Sequence, residues 1–187
     1  MIALLASAVV ALDVAVPALR TALDSSADWR MERQLAGASR PLVSTGVVDC
    51  VAGQGIRWTV LHPFESSVSM TTNAMVFADE DGELVKPLAD MPHYAEIQKR
   101  TDAFSAGDAR AFDGLFRLDA ELAADGEGWT IRMTPEVRAM RRLFGSIELS
   151  GAATLTNAVM QTGDGGVSRI VFTRRESRRF DIIPVKD

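Results

Sequence analysis

The chain has 187 residues and a mass of 20.2 kDa, with 20 Lys+Arg against 25 Asp+Glu, 47% hydrophobic and 24% charged residues. That is the size and composition of one globular domain, since most domains run to roughly 100–200 residues, and a net charge of -5 is too small for a disordered segment. An acidic chain with a pI of about 5.1 has no overall pull on phosphates, which excludes a free-standing nucleic-acid binder.

Met1 to Leu12 form an uncharged run closed by Asp13, short of the roughly 18 residues a membrane-spanning helix needs. The run has the length of the apolar part of an export signal, and Ala6, Ser7 and Ala8 have cleavage-site spacing, but no basic segment precedes it. It reads equally as the first turns of a buried N-terminal helix. Residues 1–11 are thus a truncated leader or a helix start, and 12–187 a single domain. Val16, Leu19 and Leu23 then fall at i, i+3 and i+7, the spacing of one helix face.

From Trp29 the period changes to two, the signature of a sheet with one buried face. In Gly55 to Val60, Ile56, Trp58 and Val60 point one way while Arg57 and Thr59 point the other. Val68 with Met70 and Met75 with Phe77 predict two short strands turning at Thr72-Asn73, and the Asp-Gly of residues 79–82 predicts a hairpin leading to a strand with Leu84. Residues 92–106 and 109–115 read as helices, the second capped by Asp108. Phe116, Leu118, Ala120 and Leu122 resume the alternation, and a turn at residues 125–128 joins them to Trp129, Ile131 and Met133.

Thr134-Pro135-Glu136 predicts a helix start with Thr as N-cap and Pro at the first helical position, carrying Val137, Met140 and Phe144 on one stripe as far as Gly145. Ile147 with Leu149, Leu155 to Met160, a glycine-rich turn at 163–166 and Val167 to Thr173 close the chain as a meander. The sum, about nine or ten strands with helices before and among them, predicts an α+β protein on one large antiparallel sheet. A sheet of that size curls as its twist accumulates, and helices are the expected cover for its concave face.

The chemistry-bearing residues are sparse. One cysteine, Cys50, leaves no internal disulfide or multi-cysteine zinc site, and a His-based site would need the fold to unite His62 and His93; neither metal nor cofactor is expected. Gly-x-Ser-x-Gly, phosphate-loop and His-Glu-x-x-His motifs are absent from the sequence. Ser66, Ser67, His62 and Glu65 are close along the chain, but triad members must meet in space, so a hydrolase requires one of these serines against His62 or His93 with a carboxylate behind. Arg174, Arg175, Arg178 and Arg179 make a basic cluster that reads as a solvated loop, or as a contact for a lipid head group or acidic partner. Eight Met and eight Phe suit a surface that repacks around apolar guests, though each is also ordinary core.

The order of several motifs carries a resemblance. Trp29 to Leu35, Arg40-Pro41-Leu42-Val43-Ser44-Thr45-Gly46, Gly55-Ile56-Arg57-Trp58 and Pro63-Phe64, followed more loosely by Trp129 to Pro135, Ile147 to Leu149, Asn157 and Phe180 to Pro184, resemble the outer-membrane lipoprotein carrier protein family, LolA-like, over residues 12–187. The resemblance implies an unclosed β-barrel capped by helices, whose apolar cavity takes up lipoprotein acyl chains in the periplasm. It also implies a non-enzymatic monomer with an export signal, served by an inner-membrane donor complex and an outer-membrane acceptor protein.

The candidate lining is Leu19, Trp58, Val60, Val68, Met70, Met75, Phe77, Leu118, Met133, Met140 and Phe144, with Arg57 as the candidate lid contact. The sequence departs from the family pattern at Val51-Ala52-Gly53, where carriers place a basic residue beside a proline. The Arg40 to Ser44 loop is closer to divergent relatives found with fatty-acyl or polyene systems, so the cargo is a lipoprotein or another acyl lipid. The other reading is an interaction module whose sheet is filled by its own side chains.

Overall fold

The computed structural model describes residues 25–51, 54–91, 95–96, 99–100, 103, 108, 110–124 and 126–175. Eleven strands make one sheet: β1 (Ser26–Gln34), β2 (Leu42–Val51), β3 (Gly55–His62), β4 (Ser66–Thr71), β5 (Ala74–Asp79), β6 (Gly82–Pro87), β7 (Phe116–Leu122), β8 (Trp129–Pro135), β9 (Phe144–Gly151), β10 (Leu155–Thr162) and β11 (Val167–Arg174). Their order is β6-β5-β4-β3-β2-β1-β11-β10-β9-β8-β7. The chain meanders from the centre to one edge, crosses to the other edge after β6, and meanders back until β11 pairs antiparallel with β1. β6 and β7 are therefore opposite edges, and the sheet is not closed. Accumulated strand twist curls a sheet of this width around one face.

Antiparallel partners point to the same side, so the register identifies that face across all strands. It carries Trp29 opposite Gly46 and Phe172, Trp58 opposite Val48 and Val68, Met70 opposite Met75, and Ile131 opposite Ala120 and Leu149. Under β7 to β10 it is packed by the chain itself. Ile131 (0% exposed) and Trp129 (2%) join Phe112, Phe116, Ala111 and Ala120 in one cluster, with Leu118, Met133, Met140, Ile147 and Leu149 around it. Trp129 Nε1 donates to Ala152 O at 2.6 Å, so burying the indole leaves no lost hydrogen bond.

Two helix predictions give way to the tertiary structure. Residues 110–115 are a run of turns rather than a helix: Gly114 takes φ +78°, and Arg100 Nη1 donates to the carbonyls of Ala111 (2.8 Å) and Asp113 (3.1 Å). Thr134 and Pro135, read as helix cap and first turn, instead end β8 opposite Arg117 and Phe116, and Pro135 tolerates the place because it is the last strand position. The helix is confined to Arg138–Leu143, and Phe144 already opens β9.

The expected helical cover falls largely outside the described residues: the face of Val16, Leu19 and Leu23 does so entirely, and the helix over 92–106 in part. Among the described residues the helical ones are 95–96, 99–100, 103, Arg138–Leu143 and a single 3-10 turn at Leu88–Asp90. Ala103 and Met140 pack on the β7 to β10 cluster, so these described helical residues lie on that half. Among the described residues no helix is long and apolar enough to cross a membrane.

Candidate functional site

The other half of the curled face is built around a flattened tryptophan. Trp29 is 2% exposed and lies across Gly46 of the neighbouring strand: a Cβ on Gly46 would sit 2.6 Å from Trp29 Cζ2 and 1.9 Å from Thr59 O. Only glycine accepts both contacts, and the pairing of β2 with β3 shifts register at Thr45/Gly46. Laid down in this way, Trp29 stacks on Trp58, with ring centroids 4.7 Å apart and planes at 25°. Phe172 meets Trp58 edge-on at 6.1 Å. The three rings form a rigid aromatic floor. Trp29 Nε1 is buried and meets no hydrogen-bond partner among the described residues.

Beside that floor, towards the start of β1 and the end of β11, the sheet leaves room. A cavity of about 220 Å³ is bounded by Trp58 and Phe172 with Ala27, Val48 and Ile56. Cys50 and Leu155 extend the wall; Ser25, Thr154 and Arg174 complete it. Its surface is overwhelmingly apolar and it is open on one side. Ala27 faces Val48 and Arg174 across the strands, and its small side chain is what leaves the space.

Of the candidate lining residues the cavity wall contains one, Trp58, and from the basic cluster it contains Arg174. Val60, Val68, Met70, Met75 and Phe77 share its face of the sheet by register, continuing from β3 to β5 outside the cavity wall. Met75 is buried; Val60, Val68, Met70 and Phe77 are half-buried. Leu118, Met133 and Met140 pack on the self-filled cluster of the opposite half. Leu19 and the side chain of Phe144 lie outside the described residues. Arg57 alternates with Trp58 and so occupies the other face, where its Nε donates to Ser69 Oγ at 3.1 Å.

Ala27, Val48, Cys50, Leu155 and Phe172 were not legible as a site. Ala27 and Val48 belong to stretches whose burial does not alternate cleanly, and Leu155 and Phe172 are brought to β1 only by the pairing of β11 with β1. The one available signal was Ile56, two residues from Trp58 on the same face.

Among the described residues no group of three or more His, Cys, Asp or Glu could hold a metal ion. His62 Nδ1 donates to Leu61 O at 2.7 Å, and among the described residues no hydrogen bond joins it to Ser66 or Ser67. His93 lies outside the described residues. On the reverse face, buried Asp49 accepts a hydrogen bond from the Ser26 hydroxyl. Among the described residues the titratable groups displaced from their ordinary range are remote and solvent-facing. Hydrogen bonding and charge attraction from Glu148 raise Arg132, while the Thr162 hydroxyl and the Gly166 N–H lower Asp164.

The described strands thus form an open antiparallel sheet with an apolar hollow beside its central strands. Solved structures are similar to this chain. A LolA superfamily protein from Nitrosomonas europaea matches over 94% of this chain and 95% of its own, with TM-score 0.50 and 11% identity. A Vibrio parahaemolyticus domain described as an outer membrane lipoprotein-sorting protein matches over 92% and 95%, with TM-score 0.42 and 10% identity. The MucA/MucB complex of Pseudomonas aeruginosa matches over 87% of this chain and 55% of that one, with TM-score 0.42 and 14% identity. The sequence itself matches no protein-family model and no curated protein. The fold is LolA-like, in a divergent form.

Proposed function

We propose that this chain is a non-enzymatic carrier or chaperone of the periplasm, which shelters an acyl chain of a lipoprotein or other lipid in the hollow beside Trp58 and passes it towards the outer membrane. The observation that supports this reading is the open apolar cavity itself, placed in the half of the sheet that the described residues do not fill. If a methylene takes about the 30 Å³ of a water, the cavity of about 220 Å³ accepts about seven chain carbons. At about 0.8 kcal/mol each, these contribute about 5–6 kcal/mol.

Association costs at least about 4 kcal/mol, so the hollow alone holds a chain loosely. Loose binding suits a carrier, which must also let go. Release follows when a donor or acceptor binds the empty and filled forms unequally. The inner-membrane donor, the outer-membrane acceptor, the monomeric state and a movable cover around Leu19 and Phe144 belong to the same proposal. So does an export leader over residues 1–11.

A second reading, an interaction module with a self-filled interior, is favoured by the dense cluster around Ile131. Native mass spectrometry of the purified protein, with competition by a fluorescent fatty acid, separates the two. Bound or displaceable lipid supports the carrier; a protein that neither carries nor takes up any lipid is the interaction module.

A further inference from the structure

Among the described residues the wall of the cavity contains a single charged side chain, Arg174, the last residue of β11. Two residues before it Phe172 belongs to the aromatic floor, and Ala27 stands directly opposite it on β1, so Arg174 shares the face on which the cavity opens. The neighbouring Arg175 is occupied: its Nε lies 3.5 Å from Asp28 Oδ1. Arg174 makes no ion pair and no side-chain hydrogen bond among the described residues. Its side chain is exposed. An arginine whose stem runs along an apolar wall keeps its guanidinium in water at the rim.

Resting on the carrier reading, we infer that the cavity selects anionic amphiphiles: the hydrocarbon tail enters beside Trp58, and Arg174 at the mouth takes the carboxylate or phosphate oxygens of the head. The planar guanidinium presents paired N–H donors that match two oxygens of either group, which a neutral alcohol or ester cannot supply. The apolar wall gives affinity, and the rim gives the sign of the charge. The remaining polar side chains of the wall, Ser25, Cys50 and Thr154, bring no opposing carboxylate.

The test is displacement of a fluorescent fatty acid from the purified full chain by three competitors of equal chain length: palmitate, hexadecanol and palmitoyl lysophosphatidylglycerol. Native protein, Arg174→Gln, Arg174→Lys and Arg175→Gln are compared. The anionic competitors are expected to displace the probe about fivefold better than the alcohol, an advantage of the size a rim charge pair provides. Arg174→Gln should abolish that advantage, Arg174→Lys should keep part of it, and Arg175→Gln should keep it whole.

Whichever anionic competitor loses more on Arg174→Gln identifies the head as carboxylate or phosphate. Equal displacement by alcohol and anions in the native protein, or an advantage that survives Arg174→Gln, overturns the inference and leaves the carrier reading intact. Failure of every competitor and of the probe itself overturns the carrier reading as well.

Discussion

Filling the hollow from within should close it to a guest without unfolding the protein. Ala27 lies on the cavity wall between Val48 on one neighbouring strand and Arg174 on the other. Ala27→Phe adds six carbons, which at about 30 Å³ each take up roughly 180 Å³ of the cavity's 220 Å³. Most of the roughly 5–6 kcal/mol available to an acyl chain disappears with that space. Affinity for a fluorescent fatty acid should fall at least about 100-fold, equivalent to about 2.7 kcal/mol.

Ala27→Leu, which adds three carbons, should fall about half as far on a logarithmic scale. Thermal unfolding followed by circular dichroism should show a midpoint unchanged or raised, because the new ring buries apolar surface in space that is already open. A folded Phe variant that binds the probe within twofold of the native protein would refute the assignment of the cavity as the site.

The other predictions test the scaffold that shapes the hollow. Gly46→Ala puts a methyl where Thr59 O and Trp29 Cζ2 already stand, so it should destabilise by about 1–3 kcal/mol in urea unfolding and shift tryptophan emission as the Trp29–Trp58 stack opens. Ile131→Ala, at a fully buried position, should cost about 2–5 kcal/mol of stability while the folded fraction binds acyl probe normally, since its cluster occupies the other half of the sheet. Asp164 has its folded pKa depressed below 3.8 by the Thr162 hydroxyl and the Gly166 N–H. Its contribution to the turn is therefore complete above that value and is lost as pH falls through the lower folded one. Asp164→Asn should therefore lower stability slightly at neutral pH and leave it less dependent on pH through that acid window.

The strands were legible because their local pattern and their environment agree. Ile56, Trp58 and Val60 alternate with Arg57 and Thr59, and the register does send the two sets to opposite faces. Turns with a required backbone were equally plain: Gly82 and Gly126 take φ +140° and +74° where Asp-Gly pairs had announced hairpins. Helices were read less well because local signals compete with pairing. Thr134-Pro135 has the composition of a helix start, yet hydrogen bonding to β7 outweighs that preference.

The amino-acid order by itself thus determined a large antiparallel sheet with an apolar face, and through the resemblance of its motifs the LolA-like form of that sheet. It could not say which part of the face stays vacant, because periodicity reports that a side chain is turned inward and not what it meets there. That was decided when β11 returned to pair with β1, bringing Phe172 and Arg174 beside Ala27 and Trp58, and when residues 110–115 and Ala103 packed over the opposite half. Both are contacts between segments far apart in the chain. The packing of distant segments, and not the pattern within any one, separates a filled core from a hollow.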